Sequence, residues 1–126
     1  MAQVGYSRVS TTDQDTTAQV MRLEAAGCQR IFTETISSRV EHRPQLAACL
    51  EYLRQGDALV AVRLDRLARS TRELLEIAQG LENRGIDLVV LDQQLDTSTP
   101  AGKLMFSVLA AIAQFERDLI RERTLD

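Results

Sequence analysis

Ser10 closes the run Gly5-Tyr6-Ser7-Arg8-Val9-Ser10-Thr11, which reads as a short strand over residues 3–9 entering a polar turn and then a helix. Alternation along a strand puts Tyr6, Arg8 and Ser10 on one side, with Gly5, Ser7 and Val9 on the other. A hydroxyl then stands at the carboxyl end of a strand beside a guanidinium and a phenol. In open α/β sheets this is the edge that binds ligands, so Ser10 is the first candidate nucleophile. The run Ser10-Thr11-Thr12-Asp13 would equally serve as a plain helix start. A second strand end, in Arg63-Leu64-Asp65-Arg66-Leu67-Ala68-Arg69, offers Asp65, Arg66 and Arg69. On a helical turn Arg66 and Arg69 share a face, and Asp65 is placed to orient a guanidinium. Arg43, at the start of another helix, can join them from an adjacent loop.

Several fixed arginines around one hydroxyl suit attack on a phosphodiester. Guanidinium forks hold non-bridging oxygens in pairs and stabilise the charge that grows in the transition state. Other hydrolytic schemes fit less well. The one histidine, His42, sits in a polar stretch, so Ser10 lacks the partner a Ser-His-Asp triad needs. No cluster of carboxylates and no His/Cys spacing suggests a catalytic metal, and no glycine-rich phosphate loop is present. Metal-free phosphoryl transfer remains, with arginines in the electrostatic role.

These groups need a frame. Residues 13–26 read as a helix with Val20, Leu23 and Ala26 inward and Gly27 as a left-handed cap. Residues 29–33 read as a strand, and 35–42 as a polar connection. Pro44 opens a second helix running to about Arg54, with Leu46, Leu50 and Leu53 inward. Residues 58–62 form an apolar run expected of a central parallel strand covered on both faces. Ser70 starts a further helix as one half of a capping box with Glu73, ending near Arg84-Gly85. A fourth strand over 87–91 leads into a loop over 92–99. Strands alternating with helices predict an α/β, Rossmann-like, mostly parallel central sheet flanked by helices.

Thr99-Pro100 then caps a last helix that meets no breaker after Gly102. Helical to the end, its 26 residues would reach roughly 39 Å, against a diameter near 36 Å for a compact chain of this size. Its first half, from Leu104 to Ala113, is apolar nearly all round, and such a helix must be covered on every side. A central core helix would satisfy this; a partner subunit would do so more readily for a peripheral one. Leu104, Met105, Phe106, Val108, Leu109, Ile112 and Phe115 are the expected oligomer contacts. Residues 1–99 are accordingly the catalytic core and 100–126 the assembly helix.

Composition narrows the class. At 126 residues and 44% hydrophobic content the chain supports one core. No apolar run approaches the roughly 20 residues of a membrane span, and neither a membrane association nor a secretory leader is expected. Cys28 and Cys49 follow no metal spacing and read as buried free thiols, which fits a cytoplasmic setting. A net charge of −3 argues against a general polyanion binder. Fourteen of the fifteen basic residues are arginine; a GC-rich genome would produce that bias, and so would oxyanion sites built from planar forks.

The motifs Tyr6-Ser7-Arg8-Val9-Ser10-Thr11, Leu64-Asp65-Arg66-Leu67-Ala68-Arg69 and Phe115-Glu116-Arg117 with Glu122-Arg123-Thr124 occur together and in order across essentially the whole chain. In this it resembles the serine recombinases, the resolvases and DNA invertases. The resemblance implies that Ser10 attacks a DNA phosphate, forming a phosphoserine link to the 5′ end and freeing a 3′ hydroxyl, without metal, ATP or other cofactor. It implies that Arg8, Arg66 and Arg69 bind the scissile phosphate with Arg43 assisting, and that Asp65 supports the arginines. Tyr6, Gln19, Glu116, Arg117, Glu122 and Arg123 are supporting residues. The implied partners are double-stranded DNA at a crossover site, a homodimer assembling to a synaptic tetramer, and accessory DNA-bending proteins, in a bacterial or phage-encoded, nucleoid-associated setting.

Two positions depart from the family pattern, Glu34 where an aspartate is usual and Ser38 where a glycine is usual. The family's small helix-turn-helix domain has no counterpart up to Asp126, so the chain reads as a catalytic domain cut from a longer protein, with site affinity residing elsewhere. Two other classes compete. One is a non-enzymatic assembly module that only dimerises through the last helix, against which the full set Tyr6, Arg8, Ser10, Arg66 and Arg69 argues. The other is a small-molecule phosphate or nucleotide binder, which the missing glycine loop disfavours.

Overall fold

The computed structural model describes residues 2–9, 15–35, 43–68 and 70–125. The elements are β1 (Gln3–Val9), α1 (Asp15–Ala25), β2 (Arg30–Thr35), α2 (Pro44–Tyr52), β3 (Ala58–Ala61), α3 (Leu64–Leu67), α4 (Thr71–Asn83), β4 (Asp87–Val90), β5 (Leu95–Asp96) and α5 (Pro100–Leu125). The sheet order is β2-β1-β3-β4-β5. Four strands run parallel, and β5 closes the edge antiparallel to β4. This is the mostly parallel α/β architecture expected from the alternation of elements.

Strand alternation sorts the core into two layers. Val4, Tyr6, Phe32, Leu59, Ala61, Leu88 and Val90 face one side, where Leu46 and Cys49 of α2, Leu67 of α3 and Leu74 and Leu81 of α4 cover them. Val60 and Val62 face the other side, with Leu23 of α1 and the flanking Cys28 and Ile31. The β1–α1 packing is close. A Cβ on Gly5 would lie 3.1 Å from Leu23 Cδ1 and 3.2 Å from Cys28 Sγ. Both thiols are free, and burial pushes them up, Cys28 to about 11 and Cys49 to about 12.

Helix ends follow local rules. After α1, Gly27 at φ 95° lets the Cys28 amide reach the Leu23 carbonyl at 3.1 Å, the six-residue closure of a Schellman motif. Gly85, at φ 73°, does the same for α4 through Ile86 and Leu81. Ser70 accepts the Glu73 amide at 3.1 Å, the expected cap, while the Glu73 carboxylate is engaged elsewhere, by Arg43. The ends of α2 are held by distant charges. Glu34 takes its first amides, and Arg84 donates to the Leu50 and Leu53 carbonyls, each at 2.7 Å. Each charge suits the helix dipole it meets.

Four expectations need correction. The strand placed at 29–33 runs on to Thr35, which adds Glu34 to it. The second helix stops at Tyr52 because Leu53 turns extended, φ −65° and ψ 144°. The loop at 92–99 contains β5, held by Thr97, whose amide donates to the Leu88 carbonyl and whose hydroxyl accepts the Leu88 amide. The helical turn expected to carry both Arg66 and Arg69 ends at Leu67, with Ala68 extended at φ −135° and ψ 152°, and Arg69 lies outside the described residues.

Helix α5 starts as its sequence indicates. The Thr99 hydroxyl accepts the Gly102 amide at 3.0 Å, with Pro100 in the first turn. Its apolar residues divide into two faces. Phe106 and Leu109, expected as oligomer contacts, are partly buried and pack against the chain's own core. Leu104, Met105, Val108, Ile112 and Phe115 are 46–66% exposed and form an outward stripe, about 100° wide at 100° per residue. A cavity of about 600 Å³ between α4, β4 and α5 is lined by Leu75, Ile86, Leu88, Lys103 and Phe106. It lies away from the strand ends that carry the candidate chemistry.

Two helical glycines have opposite surroundings. A Cβ on Gly102 would run into the Asp96 carbonyl, whereas nothing lies within 4 Å of one on Gly80. Gly102→Ala should therefore destabilise by about 1–3 kcal/mol through overpacking. Gly80→Ala should stabilise by about 0.5–1 kcal/mol. Urea unfolding of both variants checks the opposite signs, and a stabilised Gly102→Ala would refute the close packing of α5 on β5.

Candidate phosphodiester site

The parallel order β2-β1-β3-β4 changes direction between β1 and β3, which pair directly through Tyr6 and Ala61. The carboxyl ends of two such strands splay their connections apart and leave a crevice. Arg8 lies at the end of β1, and Arg63 to Leu67 follow β3, with α3 packing against β1. Arg8 and Arg66, one from each group read from the sequence, thus lie on the two segments that flank this switch point. Ser10 and Arg69 lie outside the described residues, as do the side chains of Asp65, Glu116, Arg117, Glu122 and Arg123.

Glu34 is the centre of this edge. It stands opposite Arg8 in the β1–β2 register and is only 3% exposed. Its carboxylate accepts the Gln45 amide at 3.0 Å, the Leu46 amide at 3.1 Å and the Tyr6 hydroxyl at 3.3 Å. Burying a carboxylate is costly unless donors replace water, and here a helix N-terminus and a phenol supply them. Tyr6 is fully buried. Its phenol is raised well above the ordinary value by burial first and then by the Glu34 charge, while Arg43 and Arg8 pull it partly back. Tyr6 is therefore a neutral hydroxyl at physiological pH, donating to Glu34.

Arg43 sits at the N-cap of α2, and its side chain is 9% exposed. Nη1 donates to the Leu67 carbonyl at 2.9 Å, and Nη2 pairs with the Glu73 carboxylate. The guanidinium thus ties the start of α2 to the end of α3 and the first turn of α4. Gln19, 2% exposed, lines a cavity of about 120 Å³ with Arg63, Arg66, Arg22 and Asp92. Arg22 and Asp92 form an ion pair of 2.6 Å across its rim, exposed enough to contribute at most about 1 kcal/mol. Solvent is shut off from Arg8 Nη1 and Arg66 Nε, so both guanidiniums are partly set into the protein.

The structure brings Tyr6, Arg8 and Arg43 together around Glu34, and Gln19 together with Arg66 across the α1–α3 cavity. Glu34, read from the sequence only as a departure from the family pattern, and Glu73, read only as half of a capping box, are the residues that the structure adds to this edge. Ending the second strand at Thr33 left Glu34 out of register with Arg8, although its alternation with Phe32 carried the signal. The local sequence around Glu73 points to a capping box with Ser70, and nothing in it points to Arg43. Among the described residues, no group of three or more His, Cys, Asp or Glu is placed to hold a metal ion. Among them also, no helix is long and apolar enough to cross a membrane.

Arginines thus stand at the carboxyl ends of β1 and β3, on either side of the switch point of a mostly parallel α/β sheet. Residues 3–126 match the family described as Resolvase, N terminal domain, and the chain belongs to that family, the serine recombinases, as its N-terminal domain. The probable DNA-invertase y4cG of Sinorhizobium fredii is 53% identical over 96% of this chain and 40% of its own length. The DNA-invertase of Escherichia phage P1 is 46% identical over 96% of this chain and 65% of its own length. Among solved structures, a resolvase family site-specific recombinase from Streptococcus pneumoniae superposes with a TM-score of 0.82 at 27% identity, covering 99% of this chain and 94% of that one. The N-terminal catalytic domain of TP901-1 integrase gives 0.77 at 30% identity, covering 94% and 98%. The chain spans 40–65% of the length of those two invertases.

Removing the Glu34 carboxylate would strand two buried amides and the Tyr6 hydroxyl. Glu34→Ala should cost about 2–4 kcal/mol, more than one unsatisfied buried donor, and Glu34→Gln clearly less, read from urea midpoints. The Tyr6 phenol and both thiols are raised in the folded chain, so their contribution is fully present below their ordinary values. It is lost as pH rises through the folded ones. Stability should therefore fall above about pH 9, the ordinary thiol value, and Tyr6→Phe should flatten the part above about pH 10. A stability that stays flat through this alkaline range would contradict the buried placement of all three groups.

Proposed function

We propose that this chain is the catalytic domain of a site-specific DNA recombinase of the invertase or resolvase type. It cleaves and rejoins double-stranded DNA through a covalent 5′-phosphoserine intermediate, with neither metal nor ATP taking part. Ser10 Oγ attacks the scissile phosphorus. The Ser10 O–P bond forms as the bond to the 3′ oxygen breaks, the serine proton is lost, and the 3′ oxygen leaves as a hydroxyl. Rejoining reverses these steps with an exchanged 3′ hydroxyl, so bond energy is kept.

In this reading Arg8, Arg66 and Arg69 bind the non-bridging oxygens and stabilise the charge of the pentacoordinate transition state. Asp65 supports them, and Gln19 lies beside Arg66. Tyr6 stays neutral and holds Glu34, and Arg43 assists by holding the α3 turn. The observation that carries the proposal is the convergence of Arg8 and the α3 segment at the β1–β3 switch point, in a chain of this family. The outward stripe of α5, Leu104, Met105, Val108, Ile112 and Phe115, supports residues 100–126 as the element of a homodimer and of the synaptic tetramer. The distal residues Glu116, Arg117, Glu122 and Arg123 support the site from that helix. Relatives from a bacterium and a phage fit the further proposal that this activity runs in the bacterial cytoplasm, on DNA at a crossover site, with accessory DNA-bending proteins as partners.

The test is a covalent adduct. The chain, joined to a sequence-specific DNA-binding module and given paired sites, is denatured during the reaction with EDTA present throughout. An adduct band should form, vanish in Ser10→Ala, and drop by about 10²–10³-fold in Arg66→Ala, as for loss of one transition-state donor. No adduct despite tetramers assembled on those sites would sink the proposal in favour of an assembly module.

A further inference from the structure

We infer that Glu73 is a positioning residue for strand cleavage, acting through Arg43, an inference that rests on the recombinase reading above. The argument starts from α3. A helix of four residues, Leu64–Leu67, is too short to hold itself. It is closed by the Arg66 amide on the Arg63 carbonyl at 3.1 Å and the Ala68 amide on the Leu64 carbonyl at 3.0 Å. Its last carbonyls have no partner within the helix. Leu67 is buried, so its carbonyl needs a donor from elsewhere in the protein. Arg43 Nη1 is that donor, at 2.9 Å.

A guanidinium with 9% of its side chain exposed cannot rest on one carbonyl. A buried charge left without a counter-charge is strongly unfavourable, and Arg43 would swing toward water. Glu73 removes that tendency by pairing with Nη2. Its amide is already given to Ser70 Oγ, so the carboxylate is not needed for that cap, and a negative charge suits the first turn of α4. Arg43 therefore becomes a three-way fastener between the N-terminus of α2, the C-terminus of α3 and the start of α4.

What the fastener holds is the proposed chemistry. Arg66 lies inside α3, one residue before the carbonyl that Arg43 grips, and in sequence Arg69 falls between Leu67 and the Ser70 cap. Both ends of that short segment are thereby anchored, one by Arg43 and one by the α4 cap to which Glu73 belongs. Loosening Glu73 should blur the position of these arginines while leaving the sheet and its core intact. Such misplacement slows a reaction that depends on pre-set geometry far more than it weakens binding.

The test measures the single-turnover rate of Ser10-dependent adduct formation by the chain fused to its DNA-binding module. The variants are Glu73→Ala, Glu73→Gln, Arg43→Ala and the double variant Arg43→Ala with Glu73→Ala, with DNA affinity and Tm measured for each. Glu73→Ala should slow cleavage about ten-fold at unchanged DNA affinity. Glu73→Gln, which keeps an acceptor oxygen, should recover much of the rate. In the Arg43→Ala background Glu73→Ala should cost nothing more, because the two act as one unit. Cleavage at or above the unsubstituted rate in Glu73→Ala would overturn the inference, the latter by showing that Glu73 competes with phosphate for Arg43. Losses that simply multiply would overturn it too. An unsubstituted chain that forms no Ser10-dependent adduct would overturn the recombinase reading itself, and this inference with it.

Discussion

The burial of the Glu34 carboxylate is the constraint on which the site edge depends. A carboxylate 3% exposed must be fully supplied with donors, and it takes them from the α2 N-terminus and from Tyr6. That requirement fixes where α2 begins relative to β1 and β2, and hence where Arg43 leaves the backbone. Because Glu34 stands in register with Arg8, one carboxylate sets the distance between the β1 arginine and the α2 arginine. The site is organised from beneath by a buried anion that need not touch substrate.

Arg43 carries that order across to β3. Its two ends meet the Leu67 carbonyl and the Glu73 carboxylate, so α3 inherits the placement of α2 rather than finding its own. Arg84 plays a matching part at the far end of α2, on the Leu50 and Leu53 carbonyls. Helix α2 is thus clamped at both ends by charges of the sign its dipole favours. Arg43 and Arg84 are thus embedded as structural forks, while Arg8 and Arg66 lie on the segments that flank the switch point.

Helix α5 obeys a different constraint. Its inward face, Phe106 and Leu109, packs on the same core that supports the site, and its first turn presses against the Asp96 carbonyl through Gly102. Its outward stripe is too apolar and too continuous to be a random scatter of surface residues. The helix is thus held tightly by β5 and α4 and left bare along one side.

Much of this was legible in the chain itself, wherever the determinant was local. A continuous apolar run identified β3 and short strand-like runs β1 and β4, and Gly27, Gly85, Ser70 and Thr99-Pro100 marked helix ends that the structure shows as hydrogen-bonded caps. The same local patterns put Arg8 and the Arg63–Leu67 segment at strand ends. What tertiary structure alone decided were partnerships between residues far apart in sequence. These include Glu34 with Tyr6 and Leu46, Arg43 with Leu67 and Glu73, and Arg84 with Leu53. Strand β5, two residues long, has no period to read and exists because β4 offers it an edge and Thr97 a bond. The division of α5 into a packed and a bare face also needed the core in place, since Phe106 and Ile112 are equally apolar as letters. Periodicity and capping act over a few residues and survive in the one-dimensional chain. A buried charge chooses its partner only after the elements around it have closed out water.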